Sequence, residues 1–367
     1  MALPALLSLE ECADFSKTVQ PFIPQLYALP EQLVDVFAGR EEFLKLYVNT
    51  NPLISGFAIS IALGAVFLVA AEVNRNYSQV DRFWSLLPTL YIAHFDAWAR
   101  LAGVPHQRID AALFFSTAWS ARLTFNYWRK GGYEIGSEDY RWPIIRQHVP
   151  KIVFHVFNWT FISFIQSILL FMIAAPVYSI LLATQFEPNV TTADLGYVAV
   201  ELGLILTEWF ADQQQWGKSI VLGGISGWEN FHGAKSKYKQ SAQVSGGFKQ
   251  ADLERGFITS GLWAFSRHPN FAAEQSIWFT LYQWSCFASN SLYSWLAVGP
   301  VFLIMLFQGS TWLTELITAG KYPEYSTYQQ KVGRFVPKVL SPYQTPVTVP
   351  KVIRTSELAK NQSKKQK

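Results

Sequence analysis

Apolar runs separated by polar, Lys/Arg-bearing stretches set the pattern of this chain. The run PLISGFAISIALGAVFLVAA, residues 52–71, carries no charge. About 20 mainly apolar residues cross a bilayer as a helix, so this run predicts a span. Residues 84–102 predict a second, although His94, Asp96 and Arg100 interrupt it, and 111–128 a third that includes Arg122. Residues 152–183 are long enough for a tilted or kinked helix, with Pro176 as the natural kink. Residues 193–210 predict a span holding Glu201 and Glu208, and 271–290 and 292–318 follow as a close pair. The expected fold class is therefore all-α, a polytopic membrane protein of about seven transmembrane helices.

Charge placement orients the map. Segments 129–151, 211–270 and the tail after 318 hold 5, 7 and 10 Lys/Arg, and the loop 72–83 adds Arg75 and Arg82. The opposite loop 184–192 and the turn near 291 hold none, and 103–110 holds Arg108 alone. Lys/Arg-rich loops stay cytosolic, which places the C-terminus in the cytosol and, with seven helices, residues 1–51 in the lumen. Residues 341–367 form a basic cytosolic tail ending Lys364-Lys365-Gln366-Lys367. Its lysine spacing resembles the dilysine retrieval address of the endoplasmic reticulum membrane. Residues 223–247, rich in Gly, Ser and Lys, are expected to be a mobile cytosolic loop, a possible lid.

Composition agrees with a membrane domain. Half of the residues are hydrophobic, 16% are aromatic and only 15% are charged, against about a quarter charged in globular domains. The net charge of +4 reads as a topology signal and gives no case for nucleic acid. Two cysteines, Cys12 and Cys286, exclude a disulfide framework or a cysteine zinc site. The six histidines never pair with one another at i,i+3 or i,i+4, so no metal site is expected. Neither a Gly-rich dinucleotide fingerprint nor a nucleophile elbow occurs.

The polar residues inside the apolar runs carry the candidate chemistry. In GLWAFSRHPNFAAE, residues 261–274, Pro269 fits the first turn of a helix. Arg267 and His268 precede that N-terminus, whose free N–H groups favour an anion such as a pyrophosphate or carboxylate. The alternative is a basic pair anchoring the helix to lipid headgroups. Glu274 lies one turn into the apolar run and needs a partner there. Glu201, Glu208, Asp212 and Gln215 share one helical face, and Arg122, Asn126 and Arg129 share another. The two faces are expected to meet as ion pairs, or to line a pocket in which an acid is poised for proton transfer. Tyr325 and Tyr328 share a helical face, suited either to packing or to a ring or phosphate. Glu138, Asp139, Tyr140 and Arg141 cluster in a loop and are expected to be solvated.

GLWAFSRHPNFAAE resembles the G-L-W-x-x-S-R-H-P-N-Y-x-G-E signature of membrane reductases of the steroid 5-alpha-reductase type. It is most similar to their domain-of-unknown-function 1295 (DUF1295) branch, with sterol C14- and C24(28)-reductases as cousins. Four further blocks follow the same pattern: VDRFWS (80–85), ARLTFNYWRKGGYEIGSEDYRW (121–142), ADQQQW (211–216) and KYPEYSTYQQKVGRFVP (321–337). Together they cover roughly 77–340, the multi-helix domain being 52–340 with its cytosolic loop at 211–270. The resemblance implies an NADPH pocket formed by the C-terminal helices and open to the cytosol. Arg267, His268, Asn270, Tyr322, Tyr325, Tyr328 and Asp212 would contact the cofactor. Glu208, Asp212, Tyr140 and Glu274 are the candidates for proton transfer. The implied activity is reduction of a C=C bond in a sterol, steroid or other lipid of the endoplasmic reticulum membrane. Isoprenylcysteine carboxyl methyltransferases share a related Arg-His-Pro stretch, so an S-adenosylmethionine-dependent methyltransferase is the alternative, and a non-enzymatic scaffold a third. The chain departs from the pattern at Phe271, where Tyr is usual, and at Ala273, in place of Gly.

Overall fold

The computed structural model describes residues 2–221 and 255–344, with side chains described over 2–216 and 255–344. The expected lid at 223–247 and the dilysine end lie outside the described residues. Two compact units divide the chain: residues 1–206 with 273–308, and residues 207–272 with 309–367. Among the described residues the architecture is helical and strand-free, apart from an isolated parallel bridge between Ser266 and Gly333.

All seven apolar segments are helical. They are α1 (Pro52–Asn74), α2 (Leu87–Leu101), α3 (Gln107–Arg129), α4 (Lys151–Ala183), α5 (Thr192–Val221), α6 (Pro269–Ala288) and α7 (Val298–Lys321). A short helix, α8 (Tyr325–Lys331), follows. Among the described residues three helices are long and apolar enough to cross a membrane: Pro52–Asn74, Lys151–Ala183 and Trp295–Lys321. The 15 residues of α2 reach only about 22 Å at ~1.5 Å per residue, short of a ~30 Å hydrocarbon core. α5 outruns its expected end at 210 and continues to Val221, so the start of the 211–270 segment is helix and not loop.

In the first unit the pattern explains each helix. α1 is capped by Asn51, whose side chain accepts from Leu53 N, with Pro52 at N1. Leu53, Ile54, Gly64 and Phe67 point inward, while Ile59, Val66 and Val69 are exposed. That apolar outer face is what lipid contact requires. α3 buries Arg108, Ala112, Phe115, Trp119, Arg122 and Asn126 along one stripe. α2, α3 and α4 pack together around Phe95, Trp98, Phe115, Trp119, Phe171, Trp278 and Trp284. α4 is interrupted twice. Residues Asn158–Ile165 form a π-helical stretch, and the helix breaks at Ala175, one residue before Pro176. Only the second interruption is written in the sequence as a proline.

The N-terminal segment is structured. Ile23–Phe37 and Phe43–Asn49 are helices that pack through Phe22, Leu29 and Leu46 on Ile54. Tyr178 donates to Thr18 O, Ser179 to Cys12 O, and Asn290 to Glu10.

Candidate functional site

Three of the five quoted blocks converge within the second unit. GLWAFSRHPN lies beside the chain from Gly333 to Lys338: Arg267 N and His268 N donate to Gly333 O and Arg334 O at 2.9 and 3.1 Å, and Lys338 N donates to Phe265 O at 2.9 Å. ADQQQW reaches the same place. Leu262 N donates to Gln214 Oε1 at 3.1 Å, and Trp263 Nε1 donates to Ala211 O at 3.3 Å. Gly261 has φ +63°, and a Cβ there would lie 2.6 Å from the Gln214 amide. The first residue of the motif is thus glycine for both conformation and space.

Arg267 and His268 are buried, and their side chains converge on one carboxylate. Arg267 Nε and Nη2 donate to the Glu315 oxygens at 2.7 and 3.2 Å, and His268 Nε2 lies 2.9 Å from Glu315 Oε1. Arg267 Nη1 donates to the carbonyls of Gln329 and Val332. Gln329 Nε2 donates to Glu315 at 3.2 Å, Tyr325 OH at 3.4 Å, and Arg334 Nε stands 3.6 Å away. Burial holds the His268 imidazole below its ordinary pKa range, although Glu315 pulls the other way. A neutral His268 that donates from Nε2 fits this arrangement. Both side chains of the Arg-His pair are thus engaged by Glu315 in this structure.

Tyr325 and Tyr328 do share a face of α8, and both are buried against Phe257 and Val332. The Tyr328 hydroxyl donates to Trp263 O. Tyr322 packs on Phe257 and Gly256. The tyrosines clamp the motif from behind. The more open part lies one turn further on, where Asn270 and Phe271 are half-buried. Asn270 Nδ2 donates to Asp212 Oδ1 at 3.2 Å, and its Oδ1 accepts from Phe271 N at 3.0 Å. The Phe271 ring stacks on His268, centroids 5.5 Å apart. Pro269 opens α6 as expected. Asp212, Asn270 and the first turn of α6 thus bring a carboxylate, an amide and a helix N-terminus together. Glu208 is buried on α5 four residues before Asp212.

Glu274 belongs to the first unit, and its partner there is Arg122, at 3.3 Å. Trp119 Nε1 and Trp278 Nε1 donate to it at 2.9 Å each. The remaining two blocks meet in the same unit. Trp142 Nε1 donates to Asp81 Oδ2 at 2.8 Å, Arg82 Nη2 to Ser137 O at 2.8 Å, and Asp139 N to Ser78 Oγ at 2.8 Å. Arg141 clasps Asp139 with Nε and Nη2, and Glu138 holds Tyr77 N and Arg146. The expected solvated charge cluster is a half-buried, cross-linked knot, because each acid has a donor from the 76–82 turn or from the next helix. Tyr140 sits at the head of that helix, Arg141–His148. Burial and the charge of Asp139 push the Asp81 carboxyl up to about 6, against Arg141 and Trp142.

Sequence reasoning missed Glu315. Its signal was available: an acid inside the apolar run 292–318 needs a partner as much as Glu274 does. It also missed Asp96, His106 and Asp110, whose ligand atoms lie within 4.8 Å of one another. Pairing of histidines only with one another leaves this group out, because His106 and Asp110 are the i,i+4 pair. Arg100 bridges both carboxylates of this group, which makes it an ion-pair cluster.

Together these features define a helical, membrane-type protein whose sequence blocks fold into two polar knots. The chain belongs to the family described as "Protein of unknown function (DUF1295)", which matches residues 66–332. It is 38% identical over 341 residues to the uncharacterized protein C594.04c of Schizosaccharomyces pombe (strain 972 / ATCC 24843), covering 92% of this chain and 93% of the relative. No solved structure matches the chain.

Proposed function

We propose that this protein is an NADPH-dependent reductase of a C=C bond in a sterol, steroid or other lipid, acting as a seven-span protein of the endoplasmic reticulum membrane with its C-terminus in the cytosol. The observation that carries this reading is the convergence of three distant blocks, those around Asp212, Arg267 and Tyr325, on the first turn of α6. All three resemble the steroid 5-alpha-reductase pattern. In this reading Asp212 and Asn270 meet the polar groups of the cofactor, and Arg267, His268 and the three tyrosines hold the α6 terminus in place from behind. NADPH, when bound, supplies the hydride. Glu208, Asp212, Glu274 and Tyr140 remain the candidates for the proton.

The test is parallel titration of the detergent-purified protein with NADPH and S-adenosylmethionine. NADPH is expected to bind, and Asn270→Ala to weaken it by about 0.5–1.5 kcal/mol, one net hydrogen bond, with little change in Tm. S-adenosylmethionine binding without NADPH binding would replace the reductase reading with the methyltransferase one.

A further inference from the structure

Within the first unit the buried acids of the helices have partners, with one exception. Asp194 accepts from Arg108 at 2.9 Å, from Trp284 Nε1 at 2.6 Å and from Thr191. Glu274 accepts from Trp119, Arg122 and Trp278. Asp96 accepts from Arg100. Glu201, on α5 seven residues after Asp194, is 0% exposed, and neither carboxyl oxygen has a hydrogen-bond partner. It makes no ion pair among the described residues, so the expected meeting of acidic and basic faces does not reach it.

The surroundings are apolar. One turn to either side, Tyr197, Val198, Leu204 and Ile205 pack into the main core. The Tyr197 ring stacks on Trp284 at 6.0 Å with an interplanar angle of 7°. An ionised carboxylate among such groups is prohibitively costly, and even a neutral acid loses the hydrogen bonds it would make in water. Neighbouring acids show that this unit supplies indole and guanidinium donors where it needs them. At Glu201 it supplies none, although the residue could be any apolar one of similar size.

We propose that Glu201 is a neutral carboxylic acid that binds the hydroxyl group of an otherwise apolar, membrane-soluble molecule. A carboxylic acid has one donor and a carbonyl acceptor, and a hydroxyl offers the complementary acceptor and donor. The rest of the ligand must be apolar, because the residues one turn away are. An ionic headgroup would meet no countercharge there. This inference does not rest on the NADPH reading and stands or falls separately from it.

Infrared spectroscopy of the full chain in lipid bilayers tests it. The carbonyl stretch of a neutral carboxylic acid is separate from that of carboxylates and moves to lower frequency on hydrogen bonding. The wild-type spectrum is expected to show such a band that moves when oleyl alcohol is added and stays put when octadecane is added. Glu201→Gln and Glu201→Met are both expected to lose the band. Glu201→Met is expected to bind oleyl alcohol about tenfold more weakly, the loss of a 1.4 kcal/mol hydrogen bond, whereas Glu201→Gln, whose amide offers a donor and an acceptor of its own, is expected to keep most of the affinity. Should neither variant fold, glutamate labelled with ¹³C at its carboxyl shows in the unaltered chain whether a neutral glutamate band exists and moves with oleyl alcohol. The proposal is overturned by the absence of a neutral-acid glutamate band, by a band indifferent to oleyl alcohol, or by Glu201→Met binding oleyl alcohol as tightly as wild type. A band that responds only to a cationic long-chain amine also overturns it, because the acid would then be an ion-pairing group.

Discussion

Glu315 gathers Arg267, His268, Tyr325 and Gln329 onto one buried carboxylate, and this changes what the Arg-His pair can be asked to do. Removing one partner of a buried ion pair strands the other, at about 3–5 kcal/mol. Glu315→Gln is therefore expected to lower Tm sharply in a thermal-shift assay, and Arg267→Ala to do the same. Loss of ligand binding in either variant reports folding, whereas Asn270→Ala reports contact. Asp81 gives a different residue-scale expectation. Its folded pKa, about 6, lies above the ordinary aspartate value of 3.8. The folded state thus holds the proton through a window in which the unfolded chain releases it. Stability contributed by this group is full below pH 4 and is lost as pH rises toward 6. Asp81→Asn cannot titrate, so its Tm is expected to fall less than wild type's between pH 4 and 6. An equal decline in both proteins would show that another group sets the slope. At this scale the sequence indicated that Glu274 must be paired but not by what. The identity of a partner depends on which helices become neighbours, and Trp119, Arg122 and Glu274 are brought together only by packing.

Helix positions were legible because runs of 18 or more apolar residues leave little alternative to a helix. Their ends and irregularities were less so. α5 continues to Val221 because nothing from Ala211 to Trp216 breaks a helix, although the apolar run itself has ended. The π-helical stretch Asn158–Ile165 has no proline or glycine to announce it. It lies where α1 comes close: a Cβ on Gly64 would sit 2.9 Å from the Phe164 ring and 3.2 Å from Ser163 O. Closer still is Gly299, where a Cβ would lie 2.3 Å from Met172 O and 2.6 Å from its carbonyl carbon. Backbone cannot swing aside as a side chain can. In membrane proteins such small residues let helices approach at all. Gly299→Ala is expected to force α7 away from α4 and to cost about 1–3 kcal/mol as overpacking. Differential scanning of the two proteins in one detergent checks this, and an unchanged Tm would show that the contact yields easily.

Taken as a whole chain, the five blocks sort into two knots: 80–85 with 121–142, and 211–216 with 261–274 and 321–337. The grouping follows chain order, the first two blocks and then the last three, and the division falls at the widest gap between neighbouring blocks, from 142 to 211. The Lys/Arg asymmetry is also a property of the whole molecule. A reporter fused after Lys367 is expected in the cytosol and one inserted at Glu187, an exposed residue, in the lumen; both on one side would overturn the seven-span topology. The N-terminal segment adds a matter of timing. Thr18 and Cys12 are bonded 160 and 167 residues ahead in the chain, and Glu10 is bonded 280 residues ahead. Ribosomes add about 5–20 residues per second, so the earliest part of the chain waits on the order of tens of seconds for its partners. During that wait Phe22 and Leu29 can cover themselves only against nearby residues such as Leu46 and Ile54. Protease resistance of the first 20 residues should accordingly appear late, in nascent chains extended beyond Asn290 and not in those halted before Tyr178.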